Sequence, residues 1–197
     1  MKFRNAWVIA AALALSACAT TMDLRSPVPL ESEAAPRSPG ILFHVGEGAS
    51  SYEFKGNINV QPLTIAFGKS LKSTLAAALA QKYESVAEIA SFPPASDSAP
   101  SISVEFSEVT VNPGALTFSS SSASVELRAR FQVPGNPTVQ AVRIKAKAEV
   151  SPGAQGAIPV PGLNDSAYNN AIRRASELAL ARAVVGIVNY VEKQTQE

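Results

Sequence analysis

Val125-Glu126-Leu127-Arg128-Ala129-Arg130-Phe131-Gln132-Val133 alternates apolar and polar residues without a fault, and so does Val142-Arg143-Ile144-Lys145-Ala146-Lys147-Ala148-Glu149-Val150. A strand turns successive side chains to opposite faces, so period-two alternation marks a strand with one buried and one wet face. Ile102, Val104 and Phe106, set against Ser103, Glu105 and Ser107, predict a third strand of the same kind. Asn112-Pro113-Gly114 and Ser119 to Ser122 fall in the first connection, and Pro134-Gly135-Asn136-Pro137 makes a tight second one. Those turn residues predict an antiparallel meander of three strands.

Upstream, Ile41-Leu42-Phe43-His44-Val45 is a compact apolar run, and Tyr52, Phe54, Ile58 and Val60 recur among polar neighbours. Both predict strands, joined through the turn-like Gly46-Glu47-Gly48. After Pro62 the period becomes helical, with Ile65, Gly68, Leu71, Leu75, Leu79 and Lys82 at steps of three and four. Val86-Ala87-Glu88-Ile89-Ala90 predicts a short strand leaving that helix, closed off by Pro93-Pro94 and Pro100. Residues 151–164 are rich in Gly and Pro and predict a loop. Asp165 or Ser166 then caps a terminal helix running to about Lys193, placed across the buried sheet face. The expected fold is α+β: an antiparallel sheet of five to six strands with two helices packed on one face.

The amino terminus supplies an address. Lys2 and Arg4 precede an apolar run from Ala6 to Leu15, the layout of a secretory signal peptide. That run is well short of the ~20 residues that span a bilayer. Leu15-Ser16-Ala17-Cys18 resembles the lipobox of bacterial lipoproteins. The resemblance implies cleavage before Cys18, diacylglycerol on its thiol and an acyl chain on the freed amine. Ala19, rather than Asp, after the cysteine implies export to the outer membrane, with the domain on its periplasmic face. The expected organisation is a signal peptide over 1–17, acylated Cys18 with a flexible tether over 18–39, and a single periplasmic α+β domain over 40–197. The tether reading rests on a mixture of Pro, Ser, Ala and charges without apolar periodicity.

Composition narrows the chemistry. Cations and anions nearly balance, 17 against 16 in the whole chain, so no net charge advertises nucleic acid. Cys18 is the only cysteine; once lipidated, it leaves no thiol for a disulfide or redox site. His44 is the only histidine, so no multi-histidine metal centre can form, and its place in an apolar strand predicts a structural role. No Gly-x-Ser-x-Gly elbow, phosphate-binding loop or dinucleotide fingerprint occurs. The expectation is a protein that is not an enzyme and carries no cofactor or metal.

One surface invites a sharper reading. Arg128, Arg130, Arg143, Lys145 and Lys147 place five cations on two neighbouring strands, a candidate face for an acidic lipid or glycolipid. The plainer reading is a solvated face whose cations pair with Glu105, Glu108, Glu126 and Glu149 and discourage edge pairing.

The layout from lipobox to terminal helix resembles small Gram-negative outer-membrane lipoproteins of the YajG-like type, with LptE-like and PqiC-like auxiliary lipoproteins as relatives in layout. Only Leu15 to Cys18 is a specific motif, so Cys18 alone is carried over as a functional residue. The resemblance implies a lipid-anchored binding or assembly module with an envelope protein partner. Its alternative is an accessory of lipid or lipopolysaccharide transport that uses the basic face. A pore-forming subunit would need membrane strands, which the short polar stretch 112–123 is unsuited to provide.

Overall fold

The computed structural model describes residues 19–30, 38–58, 61–94, 99–114, 119–151 and 166–196. The predicted signal peptide, Cys18 and most of the predicted loop 151–164 lie outside them. In chain order the elements are β1 (Thr20–Asp23), β2 (Ile41–Val45), α1 (Glu47–Ser50), β3 (Glu53–Ile58), β4 (Gln61–Ala66), α2 (Phe67–Ala80), β5 (Val86–Glu88), β6 (Ser101–Asn112), β7 (Ser121–Gln132), β8 (Gln140–Val150) and α3 (Ser166–Gln196).

The strands form two sheets, a three-stranded one in the order β1-β4-β3 and a five-stranded one in the order β5-β2-β6-β7-β8. The meander β6-β7-β8 is antiparallel throughout, as its alternation predicts. The expected single antiparallel sheet with two helices is corrected elsewhere. β2 runs parallel to both β5 and β6, β1 runs parallel to β4, and there are three helices among the described residues. The physical reason lies in connection length. Parallel neighbours need a crossover, and everything from α1 to α2 separates β2 from β5. The segments at 41–45 and 52–60 are therefore no hairpin. Glu47–Ser50 closes a helical turn where Gly46-Glu47-Gly48 suggested a simple turn, and the chain passes into the other sheet.

The helix expected after Pro62 begins only at Phe67. Leu63 and Ile65 satisfy a strand's period as well as a helix's, and both are buried in β4, the central strand of its sheet. Pro62 is tolerated because β1 pairs only with Leu63 to Ala66, so no partner on that side asks for its missing N–H. Helix α2 then buries Phe67, Leu71, Leu75, Ala78 and Leu79 along one stripe. Gly68 is required by close approach: a Cβ there would lie 2.4 Å from the Ser50 carbonyl oxygen and 2.5 Å from that of Ala49.

The predicted tether is structural over much of its length. Thr20–Asp23 form β1, in register with Leu63 to Ala66. Met22, Leu24 and Val28 are buried in the core. The Ser70 hydroxyl donates to the Leu24 carbonyl at 3.2 Å, and the Val28 N–H donates to Thr74 Oγ1 at 3.0 Å. A four-residue strand with one buried residue offers no alternation to read, and its Pro-rich sequel has the composition of a linker.

Helix α3 covers the inner face of the meander through Ile172, Ala175, Ala179, Ala183, Val184, Ile187 and Val191. Their three- and four-residue spacing makes one buried stripe. Among the described residues no helix is long and apolar enough to cross a membrane.

Candidate binding surface on the outer sheet face

Alternation in β7 and β8 turns Arg128, Arg130, Arg143, Lys145 and Lys147 away from α3, so the five cations do share one face. Register decides what they meet. Arg128 lies opposite Glu105 on β6 and Arg143 on β8, and its guanidinium reaches the Glu105 carboxylate at 3.7 Å. Arg130 sits over the Phe92 ring, 5.5 Å from the centroid, a placement in which the ring's negative face attracts the cation.

A β-bulge between Phe106 and Glu108 sets Glu108 opposite Glu126. Two carboxylates facing each other repel. Lys145, opposite Glu126 on the next strand, reaches diagonally to Glu108 at 2.8 Å. The hydrogen bond and charge of Glu108, with a smaller contribution from Glu126, hold the Lys145 ammonium above the ordinary lysine value against a slight desolvation. One cation thus serves two carboxylates. Among the described residues Arg143 and Lys147 are in no ion pair. The face as a whole is a checkerboard rather than a field of one sign.

Two concavities open on it. A depression of about 330 Å³ is bounded by Lys145 and Lys147 together with Thr110, Asn112, Ser122 and Ser124. The second, about 240 Å³, exists because β2 ends at Val45, paired with Val104, while β6 runs on to Asn112. This notch is lined by His44, Ser103, Glu105, Arg130 and Tyr52. His44 Nδ1 and Ser103 Oγ share a hydrogen bond at 3.1 Å, which ties the half-buried imidazole to the neighbouring strand. Tyr52 stacks on Phe106 with centroids 4.6 Å apart, and burial raises its hydroxyl above the ordinary value of 10. The notch escapes sequence reading because its walls come from β2, β6 and β7 together with the α1 connection, segments far apart in the chain; the end of the apolar run at Val45 is the one local signal for it.

A third groove, about 300 Å³, lies on the exposed side of α3 between Pro29 and Leu178, Val185 and Asn189. At the edge of the five-stranded sheet, Arg182 of α3 donates to the Lys147 carbonyl at 3.0 Å and so occupies one backbone acceptor of β8. Among the described residues no group of three His, Cys, Asp or Glu side chains could hold a metal ion.

No family model matches the chain, and no curated protein sequence matches it. Solved structures do. Protein XCC0632 from Xanthomonas campestris, described as a DUF330 protein, is similar at 14% identity with a TM-score of 0.55, over 90% of this chain and 97% of that one. A candidate lipoprotein from Caulobacter crescentus CB15 aligns at 16% identity and a TM-score of 0.40, over 66% and 83% of the two chains. A minor lipoprotein from Acinetobacter baumannii aligns at 10% identity and a TM-score of 0.38, over 81% and 92%. None of these is named for the YajG, LptE or PqiC types. What the comparison establishes for this chain is the fold it shares with XCC0632.

Proposed function

We propose that this chain is a lipid-anchored envelope lipoprotein, held by acylated Cys18 at the periplasmic face of the outer membrane, where its domain serves as a non-enzymatic binding or assembly module for an envelope protein partner. The observation that carries the reading is Leu15-Ser16-Ala17-Cys18 behind a charged start and a short apolar run. Acylation at both thiol and amine supplies several chains, and each buried methylene contributes ~0.8 kcal/mol, so anchoring is stable where a single chain is marginal. The balanced charge of the outer sheet face supports docking of a protein over capture of a polyanion.

A second reading is favoured by Arg143 and Lys147, two of the three cations of this face that stand outside ion pairs, Lys147 at the rim of the hydroxyl-lined depression. On that reading the face of Arg128, Arg130, Arg143, Lys145 and Lys147 touches the acidic headgroup of a transported lipid.

Mass analysis of the mature N-terminal peptide tests the anchor. The expected product begins at Cys18 with diacylglyceryl and acyl masses, and Cys18→Ser releases the protein from the membrane fraction. An unmodified Cys18 refutes the reading. Crosslinking in intact cells then separates the alternatives. A stoichiometric envelope protein that survives Arg143→Glu with Lys147→Glu supports the docking module. Salt-sensitive recovery of acidic lipid that the same substitutions abolish supports cargo binding.

A further inference from the structure

The place where the chain enters the fold fixes which end of the domain meets the membrane. Only Ala19 separates Cys18 from β1, whose first residue Thr20 is paired with Leu63. Two residues of extended backbone reach at most ~7 Å. A free tether of about 22 residues would instead stand the domain off by roughly 26 Å on average. β1 and β4 run parallel, so Thr20 lies at the same end as Gln61 and Pro62, and the antiparallel partner of those residues brings Asn57 and Ile58 there too. Of the described residues that lie at this end, Gly56, Asn57, Ile58, Gln61, Pro62 and Leu63, none is charged. Asn57, Gln61 and Pro62 are exposed, whereas Ile58 is buried. The charges of this sheet lie toward its other end, where Asp23 pairs with Lys69 at 3.2 Å and Glu53 with Lys55 at 3.8 Å.

We propose that the end of the three-stranded sheet marked by Thr20, Asn57, Gln61 and Pro62 rests directly on the lipid headgroups of the leaflet that holds the Cys18 acyl chains. The domain then lies against the membrane with a set orientation, and the five-stranded sheet is displayed from that fixed base. The occupant is a lipid surface because the covalent anchor leaves no room for anything thicker than the headgroup layer between Thr20 and the bilayer. Small polar and uncharged groups such as Asn57 and Gln61 suit that layer: they hydrogen-bond to headgroups without repelling anionic ones.

This proposal rests on acylation of Cys18, and the test reads the two separately. Because Cys18 is the only cysteine and its acylated thiol is unreactive, Asn57→Cys in the full-length lipidated protein gives one labelling position. Glu53→Cys, opposite Ala66 at the other end of the same sheet, gives a second. Each is labelled with an environment-sensitive fluorophore and reconstituted in phosphatidylethanolamine–phosphatidylglycerol vesicles containing a headgroup-borne quencher. The expected result is a blue shift and loss of most of the emission at position 57, with little change at 53. Insertion of a long Gly-Ser spacer between Ala19 and Thr20 should abolish the difference while leaving the acyl masses intact. Equal quenching at both positions in an acylated protein, or quenching indifferent to the spacer, overturns the orientation. Absence of acyl mass on the N-terminal peptide overturns the anchor and the orientation with it.

Discussion

Leu24→Ala separates a tether from a built-in strand by a wide margin. The Leu24 side chain is buried to 6% exposure beside Val28 at 2%, both within the continuous core of the domain. Truncating a buried leucine removes its transfer free energy and leaves a cavity, which together cost about 3 kcal/mol. The substitution keeps the Leu24 carbonyl that accepts the Ser70 hydroxyl at 3.2 Å, so the loss reports on packing alone. For a domain of this length 1 kcal/mol moves Tm by ~2–4 °C, which predicts a fall of roughly 6–12 °C. A total stability of about 5–15 kcal/mol leaves the variant folded enough to measure. The assay is urea and thermal unfolding of the Cys18→Ser protein without its signal. Asp23→Ala is the matched control one residue away. It breaks an exposed ion pair with Lys69 and should cost no more than about 0.5 kcal/mol. If Leu24→Ala also costs less than about 0.5 kcal/mol, residues 20–28 are not part of the core, and the flush placement of the domain on its anchor fails with them.

Two further substitutions probe what holds the site's framework. Gly68→Ala puts a methyl group 2.4–2.5 Å from the backbone of Ala49, Ser50 and Tyr52, so α1 must shift away from α2 at a cost of about 1–3 kcal/mol. Because α1 and Tyr52 wall the His44 notch, the Tyr52 ring resonances should move as well, and an unperturbed Tyr52 would contradict the close approach. Tyr83→Phe tests a pH dependence. Burial raises the Tyr83 hydroxyl above the ordinary 10, the Thr195 hydrogen bond opposes this, and Glu192 adds to it. The folded state then keeps a proton that the unfolded state loses, so stability is level below about pH 10 and falls above it. Tyr83→Phe should flatten that fall and, through the lost 3.5 Å hydrogen bond, cost at most about 1 kcal/mol at neutral pH. Unfolding curves from pH 8 to 11 decide it, an unchanged alkaline slope being the contrary result.

The elements readable in advance are those whose signal is local. β7 and β8 each present one wet face, so nine residues of clean alternation suffice, and α3 declares itself by a stripe long enough to outlast ambiguity. Parallel pairing of β2 is a different kind of fact: Ile41 to Val45 look the same whichever neighbours flank them, and only the fold chooses β5 and β6. At 63–71 two periods overlap, since Ile65 belongs equally to Leu63-Ile65 and to Ile65-Gly68-Leu71, and pairing with β1 and β3 settles the matter for the strand.

The character of the basic face lies between these cases. Its five cations follow from alternation, yet the pairing of Lys145 depends on the bulge after Phe106. Up to that point even-numbered residues Ile102, Val104 and Phe106 face inward; beyond it the buried residue is odd, Val109. Without the bulge Glu108 would point into the core beneath α3. With it Glu108 turns outward, Val109 turns inward, and the carboxylate meets Lys145 at 2.8 Å. That change of phase is visible in Phe106-Ser107-Glu108-Val109, because a strand that must keep valines buried and a glutamate wet has to insert a residue. Reading the phase break as a bulge leads from four residues to an outward Glu108, and from there to its pairing with Lys145.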